Sequence, residues 1–350
     1  MSYKQTVIRN VDNISGEIPE KSVLKEMGLW IKQGKTVALP TETVYGLGAS
    51  AVCTEAVRAI FKAKNRPPDN PLIAHIADRA QLDALGVTWT ENMEKLMDTF
   101  WPGPLTLIFP LTKETPLSSL VTAGLPTVAV RIPEHEVARA LLTYAGVPVA
   151  APSANRSGSP SPTTAEHVYN DLSGKIDAVI DGGACGYGVE STVVDCTTEI
   201  CWILRPGGVT KEQLERVLGP GTVRYSHSAS SEESPAAPGM KYRHYSPATP
   251  LYLMEGPEEM WQNRLRAYQQ EGKKVAVLAV EENKPAWKQA DAFFSLGSRR
   301  APEETAAKLY AVLRELDTID ADAAFCEVFA KEGIGAALMN RLEKAASSEA

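Results

Sequence analysis

Residues 36–48 are TVALPTETVYGLG: a short apolar run, a glutamate between two threonines, and two glycines. The run at 36–39 predicts a buried β-strand. Hydroxyl and carboxylate groups directly after a strand, followed by glycines that allow close backbone approach, are typical of the edge where open α/β sheets bind ligands. The same residues would also suit a well hydrogen-bonded turn, so this stretch alone leaves both interpretations open.

The alternation of short β-branched runs with segments of helical period continues to about residue 219. We predict strands at 36–39, 71–76, 105–110, 127–131, 147–150, 178–180, 192–195 and 200–204. We predict helices at 18–33, 54–63, 80–85, 92–99, 136–145, 164–171 and 211–218. This pattern indicates an open α/β sheet.

The composition changes after residue 218. Residues 219–238 are rich in proline, serine and glycine and too polar to bury a core, which predicts a linker. Beyond residue 250 we predict strands at 251–254, 275–280, 293–296 and 323–328, with helices at 258–270, 303–316 and 335–346. We therefore predict a first domain at 1–218, a linker at 219–250 and a smaller parallel α/β domain at 251–350.

The chain has 350 residues, 44% of them hydrophobic and 23% charged, an ordinary composition for a folded globular protein. Its net charge of −7 means that an anionic ligand has to be met by a local basic site. No run approaches the roughly 18 apolar residues of a membrane helix, so we expect a cytoplasmic protein without membrane contact. The cysteines form no CxxC motif, and we expect free buried thiols at Cys53, Cys185, Cys196, Cys201 and Cys326.

Common catalytic motifs are absent: there is no GxxxxGK[ST] phosphate loop, no HExxH and no GxSxG. The segment GYGVES at 186–191 lacks the third glycine of a dinucleotide fingerprint, and we discount it. The five histidines show no metal-ligand spacing, so we expect no metal held by the protein. A metalloenzyme or a covalent hydrolase is therefore not indicated.

Three further segments carry candidate chemistry. Residues 62–72 place three cations before two prolines, which suits phosphate oxygens or simply a solvated helix end. Residues 149–163 run from a buried strand into small hydroxyl and amide groups, suited to an anion or a ribose, or to a flexible loop. Arg205 follows a strand and precedes Pro206, as a phosphate clamp or a surface ion pair. His75 suits a core histidine or a ligand group equally.

Together these segments resemble one family, the threonylcarbamoyl-AMP synthases of the two-domain Sua5 type, whose catalytic unit is a YrdC-like domain. The matching pieces are PTETVYGLG (40–48), KxR (64–66), DNPL (69–72), WPGPLT (101–106), VTAGL (121–125), TVAVRIP (127–133), SxN (153–155), ESTVVD (190–195), LRPG (204–207) and APGMKYRHYSP (237–247). The resemblance implies a twisted, open mixed sheet in the first domain and a Rossmann-like parallel α/β fold in the second.

The resemblance also implies an enzyme, an L-threonylcarbamoyladenylate synthase. This nucleotidyltransferase would use L-threonine, bicarbonate and ATP to make threonylcarbamoyl-AMP, pyrophosphate and water, the first step toward the tRNA nucleoside t6A37. Mg²⁺ would arrive with ATP, and the product would pass to the tRNA threonylcarbamoyl transferase complex, with little or no direct tRNA binding. Such chemistry depends on positioning and charge stabilisation, as in other phosphoryl transfers, and needs no covalent enzyme intermediate.

The site residues are expected on the matched motifs. The predicted ATP site comprises Lys64, Arg66, Asn70, Ser153, Asn155, Ser161, Arg205, Tyr242 and His244, with Lys64 and Arg66 as the catalytic residues. The predicted threonine site comprises Thr41, His75, Thr122, Arg131 and Ser191, with Arg131 as partner of the carboxylate. Residues 241–247 would form a lid that excludes water from the adenylate, or only the end of the linker.

Three alternatives stay open at this point. An RNA-binding module is disfavoured by the acidic net charge and the lack of a basic stripe interleaved with aromatic residues. Carbamoyl-adenylate formation from carbamoyl phosphate, as in hydrogenase maturation factors, would call for an acylphosphatase unit and zinc-finger cysteines that this sequence lacks. A catalytically silent relative is disfavoured by the intact KxR and SxN pairs.

Overall fold

The computed structural model describes residues 4–11, 19–226 and 245–347. The chain forms two compact units. The first consists of Met1–Ser157, Pro162–Gly186 and Glu190–Tyr242, and the second of Gly158–Ser161, Tyr187–Val189 and Arg243–Ala350. Two short segments, 158–161 and 187–189, thus belong to the second unit although the chain on both sides of them belongs to the first.

Within the described ranges, eleven strands form the sheet of the first unit in the order β1-β8-β2-β3-β7-β4-β6-β5-β9-β10-β11. The strands are β1 (Val7–Asn10), β2 (Val37–Leu39), β3 (Gly46–Ser50), β4 (Ile73–His75), β5 (Leu105–Pro110), β6 (Thr127–Arg131), β7 (Val149–Ala150), β8 (Ala178–Asp181), β9 (Thr192–Asp195), β10 (Cys201–Arg205) and β11 (Val223–Tyr225). Neighbouring strands pair both in parallel, as β4 with β6, and antiparallel, as β5 with β6. The mixed sheet implied by the resemblance is confirmed.

The helices of the first unit are α1 (Pro19–Lys32), α2 (Thr54–Lys64), α3 (Ala80–Leu85), α4 (Glu91–Phe100), α5 (Ser119–Thr122), α6 (Glu136–Ala145), α7 (Ala165–Leu172) and α8 (Lys211–Leu218). Leu24 and Met27 of α1 pack with Leu141 of α6 in one apolar cluster, while Ile60 of α2 and Met93 of α4 belong to another. Both clusters exclude water from side chains of the sheet. Each fully buried leucine or methionine contributes about 1.5–3 kcal/mol to the free energy of unfolding.

The second unit has a parallel four-stranded sheet in the described residues, in the order β12-β15-β13-β14. Its strands are β12 (Leu251–Met254), β13 (Val275–Ala279), β14 (Ala292–Ser295) and β15 (Ala323–Glu327), and its helices are α9 (Glu258–Gln270), α10 (Pro302–Leu316), α11 (Gly335–Ala345) and the 3₁₀ helix Glu281–Trp287. Trp261, Trp287 and Phe325 belong to one of its apolar clusters. The expected smaller parallel α/β fold is confirmed.

Strand β3 was not predicted, because its sequence, Gly-Leu-Gly-Ala-Ser, has little intrinsic preference for a strand. A side chain at Gly48 would lie 2.9 Å from Leu39 and 3.0 Å from Val149, so glycine is what lets β3 fit between β2 and β7. Tertiary packing therefore outweighs local propensity here. Strands β1 and β11 and helix α5 were also not predicted.

The expectation of free thiols is corrected at two positions, because Cys196 and Cys201 form a disulfide. Strands β9 and β10 pair antiparallel, with Trp202 opposite Asp195, and this register brings the two cysteine Cα atoms to 4.3 Å. Cys185 and Cys326 are free and buried as expected, whereas Cys53 is free but only partly buried. In the described ranges, no helix has the length and apolar character needed to cross a membrane.

Candidate active site

Four neighbouring strands, β4, β6, β5 and β9, present one mixed face of apolar and polar side chains. Ile73, Ala129, Ile108 and Val193 form a small apolar cluster on it. Because side chains two residues apart in a strand point to the same face, this face also carries His75, Arg131 and Thr106. Ser191 directly precedes β9 and is linked to Thr106 by a hydrogen bond between their hydroxyl groups. His75 pairs with Arg131 across β4 and β6, and Thr106 and Arg131 each lie one residue beyond the Leu107–Val130 pair of β5 and β6. Residues distant in sequence thus form one polar row.

Arg131 connects this row to the turn between β2 and β3. Its Nη2 lies 2.6 Å from Glu42 Oε1, its Nη1 donates to Thr43 Oγ1 at 2.8 Å, and its Nε donates to the Gly103 carbonyl at 3.2 Å. Thr43 Oγ1 is 2.9 Å from Thr41 Oγ1, which brings the predicted residue Thr41 into the same network. A guanidinium has five N–H groups. Within the described residues, at least one N–H on each terminal nitrogen of Arg131 has no hydrogen-bond acceptor.

Ser191 is fixed between Thr106 and Arg205. Its hydroxyl lies 2.7 Å from Thr106 Oγ1, and Arg205 Nη2 donates to its carbonyl at 2.9 Å and to its hydroxyl at 3.2 Å. All three residues are buried. Arg205 therefore positions Ser191, a role that the strand-end argument did not anticipate.

Gly207 makes this arrangement possible, because a Cβ there would overlap the Glu190 carbonyl and the backbone of Ser191 and Thr192. We expect Gly207→Ala to lower the free energy of unfolding by about 1–3 kcal/mol, as other overpacked sites do. The measurement is urea denaturation followed by circular dichroism. Gly186→Ala is the matched control, because the nearest atom to its Cβ would be 4.0 Å away. Equal stability of the two variants would contradict the proposed close approach.

Lys64 joins two predicted ATP-site residues. Its Nζ donates to the carbonyls of Ser153 at 2.5 Å and Asn155 at 2.6 Å, and lies 3.3 Å from Asn155 Oδ1. Ser153 Oγ donates to the same Oδ1 at 2.6 Å. Only 1% of Lys64 is exposed, so its ammonium group reaches inward from the last turn of α2. Lys64, Ser153 and Asn155 form one hydrogen-bonded group.

Asn70, which follows Lys64 and Arg66 in the sequence, is buried. Arg66 Nη2 lies 3.4 Å from the Asn70 carbonyl and 3.3 Å from that of Pro71. Neither atom of the Asn70 side-chain amide has a hydrogen-bond partner among the described residues. Leaving such a buried amide unpaired costs about 1–3 kcal/mol, so a ligand group there would be stabilising.

Four further residues complete the predicted site: Thr122, Ser161, Tyr242 and His244. Thr122 accepts from the Gly124 N–H and donates to the Ser119 carbonyl, both at 3.2 Å, within its own turn. Ser161 is buried and belongs to the second unit. Tyr242 and His244, and with them most of the predicted lid at 241–247, lie outside the described residues.

Burial determines the protonation of two groups near Arg131. Burial, with a smaller contribution from the Arg131 charge, lowers the pKa of His75 to about 3, so the imidazole is neutral at physiological pH. Burial also raises the pKa of the Cys185 thiol to about 12; Glu42 acts in the same direction, whereas the Thr41 backbone and Arg131 act in the opposite one. His75 can thus hydrogen-bond a ligand but adds no positive charge.

Glu42 was missed as a site residue by the sequence analysis, although it stands between two threonines of the quoted turn. The sequence did contain a signal for it, because Glu42 is the one charged residue in the stretch 36–48. Across the described ranges, no group of three His, Cys, Asp or Glu side chains could hold a metal.

Comparison with known proteins covers both parts of the chain. The family model Sua5_yciO_yrdC, described as telomere recombination, matches residues 30–207, and Sua5_C, described as the threonylcarbamoyl-AMP synthase C-terminal domain, matches residues 209–347. The threonylcarbamoyl-AMP synthase of Bacillus subtilis is 48% identical over 99% of this chain and 98% of its own. That of Pyrococcus abyssi is 44% identical over 95% of this chain and 96% of its own.

Comparison with a solved structure supports the same family assignment. The crystal structure of P. abyssi Sua5 complexed with L-threonine has a TM-score of 0.89 at 44% identity and covers 97% of both chains. The similarity therefore extends over the mixed sheet and the smaller parallel sheet alike, and the resemblance drawn from the motifs is confirmed. The chain belongs to the family of threonylcarbamoyl-AMP synthases of the two-domain Sua5 type.

Proposed function

We propose that this chain condenses L-threonine, bicarbonate and ATP to threonylcarbamoyl-AMP, with release of pyrophosphate and water. The observation that carries the proposal is its identity of 44–48% with curated threonylcarbamoyl-AMP synthases along nearly the whole chain. The buried Arg131 network and the Lys64 group support it, because the reaction needs positioned charges and no nucleophilic side chain.

Arg131 is proposed to bind the threonine carboxylate through its two remaining N–H groups. The amine of threonine then attacks bicarbonate to give a carbamate, and a carbamate oxygen attacks the α-phosphorus of ATP as pyrophosphate leaves. His75, Thr41 and Ser191 are proposed to contact threonine as uncharged hydrogen-bond partners. Thr122 stays a predicted threonine contact.

Lys64, Arg66 and Arg205 are proposed to stabilise the charge that develops on the phosphates and the carbamate. The Lys64 ammonium group already holds two carbonyls, so its effect comes from its charge and from the position it gives to Ser153 and Asn155. The Asn70 amide is proposed as a further nucleotide contact. Ser161, Tyr242 and His244 stay predicted nucleotide contacts.

The proposal also covers the metal ion that accompanies ATP, the recipient of the product and the location of the protein in the cell. Mg²⁺ is proposed to enter as part of the ATP substrate. The product is proposed to pass to the tRNA threonylcarbamoyl transferase complex in the cytoplasm, and the net charge of −7 supports weak or no direct tRNA binding by this chain.

The test is to incubate the purified protein with ATP, bicarbonate and L-threonine, to omit each in turn, and to follow pyrophosphate. We expect release only when all three are present. Release that does not depend on threonine, or none with the complete mixture, would overturn the proposed reaction.

A further inference from the structure

We propose that Glu42 binds the α-ammonium group of L-threonine, so that Glu42 and Arg131 together bind the amino acid as a zwitterion. This inference rests on the proposed function and adds a recognition residue to it. It assigns a role to a buried acidic side chain in the turn between β2 and β3.

The first observation is that the Glu42 carboxylate is buried without a hydrogen-bond donor for Oε2 among the described residues. Only 9% of its side chain is exposed, and Oε1 faces Arg131 Nη2 at 2.6 Å. Oε2 has no hydrogen-bond partner within the described part of the chain. An ionised carboxylate can accept about four hydrogen bonds, and buried polar groups are almost always paired. A donor from a ligand would satisfy Oε2.

The second observation is the pairing of opposite charges. Arg131 retains two N–H groups for a carboxylate, and Glu42, in contact with it, retains one oxygen for a cation. An α-amino acid carries its carboxylate and its ammonium group on the same carbon atom, Cα. A ligand with only a carboxylate would be attracted by Arg131 but repelled by Glu42. A ligand with only an ammonium group would be attracted by Glu42 but repelled by Arg131. The pair therefore favours zwitterions.

The pairing also has a consequence during the reaction. The bound ammonium group releases one proton to water, and the neutral amine attacks bicarbonate. The N–C bond forms, the C–OH bond breaks, and the leaving hydroxide takes a second proton from nitrogen and departs as water. A cation next to Glu42 is thereby converted to an anionic carbamate. Like-charge repulsion then turns the carbamate oxygens away from Glu42.

The test measures binding of two ligands to Glu42→Gln by calorimetry: L-threonine, and 3-hydroxybutyrate, which keeps the hydroxyl and the carboxylate but lacks the amine. We expect L-threonine affinity to fall by at least about 30-fold, in line with truncation of other buried charge pairs. The affinity for 3-hydroxybutyrate should stay the same or rise. Glu55→Gln on α2, whose side chain is 77% exposed, is the matched control and should change neither.

Two outcomes would overturn the inference: unchanged threonine affinity, or an equal loss for both ligands, which would mean that Glu42 only holds Arg131 in place. If Glu42→Gln does not fold, Glu42→Asp supplies the test, because a shortened carboxylate should weaken threonine more than 3-hydroxybutyrate, and equal changes contradict the proposal. A wild-type protein that binds no threonine and releases no pyrophosphate would instead contradict the proposed function itself.

Discussion

Replacing Lys64 by methionine is expected to slow threonine-dependent pyrophosphate release by about 100- to 1000-fold, the usual cost of removing one preorganised charge-stabilising group. Methionine fills nearly the same volume without the charge or the three N–H donors. The carbonyls of Ser153 and Asn155 lose their shared partner, and the phosphates lose a buried cation. The measurement is the initial rate of pyrophosphate release at saturating ATP, bicarbonate and threonine.

Lys62→Met is the matched control, since Lys62 lies two residues earlier on α2 and is exposed. We expect it to keep a rate within about twofold of wild type, because removal of a surface charge usually changes little. Circular dichroism distinguishes loss of catalysis from loss of folding. A folded Lys64→Met protein with near wild-type turnover would remove Lys64 from the catalytic site.

Much of the fold could be predicted because its hydrophobic periodicity is local. The runs that became β5, β6 and β9 are β-branched and apolar, and their predicted bounds agree with the structure to the residue. Strand β3 could not be predicted in this way, because Gly48 is required by the neighbouring Leu39 and Val149 and gives no strand signal of its own. Periodicity records which face a residue buries, whereas close approach of backbones is determined by residues far along the chain.

The site was only partly predictable for the same reason. The cationic residues were located by motif, but their partners were not: Lys64 and Arg205 bind backbone carbonyls, which every residue has and no motif marks. Glu42 was overlooked because its significance arises from Arg131, 89 positions later, and from the register that places the two side by side. Sequence motifs supply the charged groups, and the sheet register decides which of them meet.

The second large effect is expected in stability. Arg131→Met should lower the free energy of unfolding by about 3–5 kcal/mol, because it leaves the buried Glu42 carboxylate without its counter-ion. The pair is almost fully desolvated, with 4% of the Arg131 side chain and 9% of the Glu42 side chain exposed. Urea denaturation of the full chain measures the loss. Lys95→Met, which breaks an exposed pair with Glu91, is the control and should cost less than about 1 kcal/mol.

The double variant Arg131→Met/Glu42→Gln separates charge from packing. If the loss in Arg131→Met comes from an uncompensated buried charge, neutralising Glu42 as well should recover part of it, and the two substitutions will be non-additive by about 0.5–3 kcal/mol. The double variant should still fail to bind L-threonine, because both charges of the zwitterion have lost their partners. Additive losses would show that the ion pair contributes no coupling energy, and that Thr43 and Gly103, the other Arg131 partners, account for its stabilising effect.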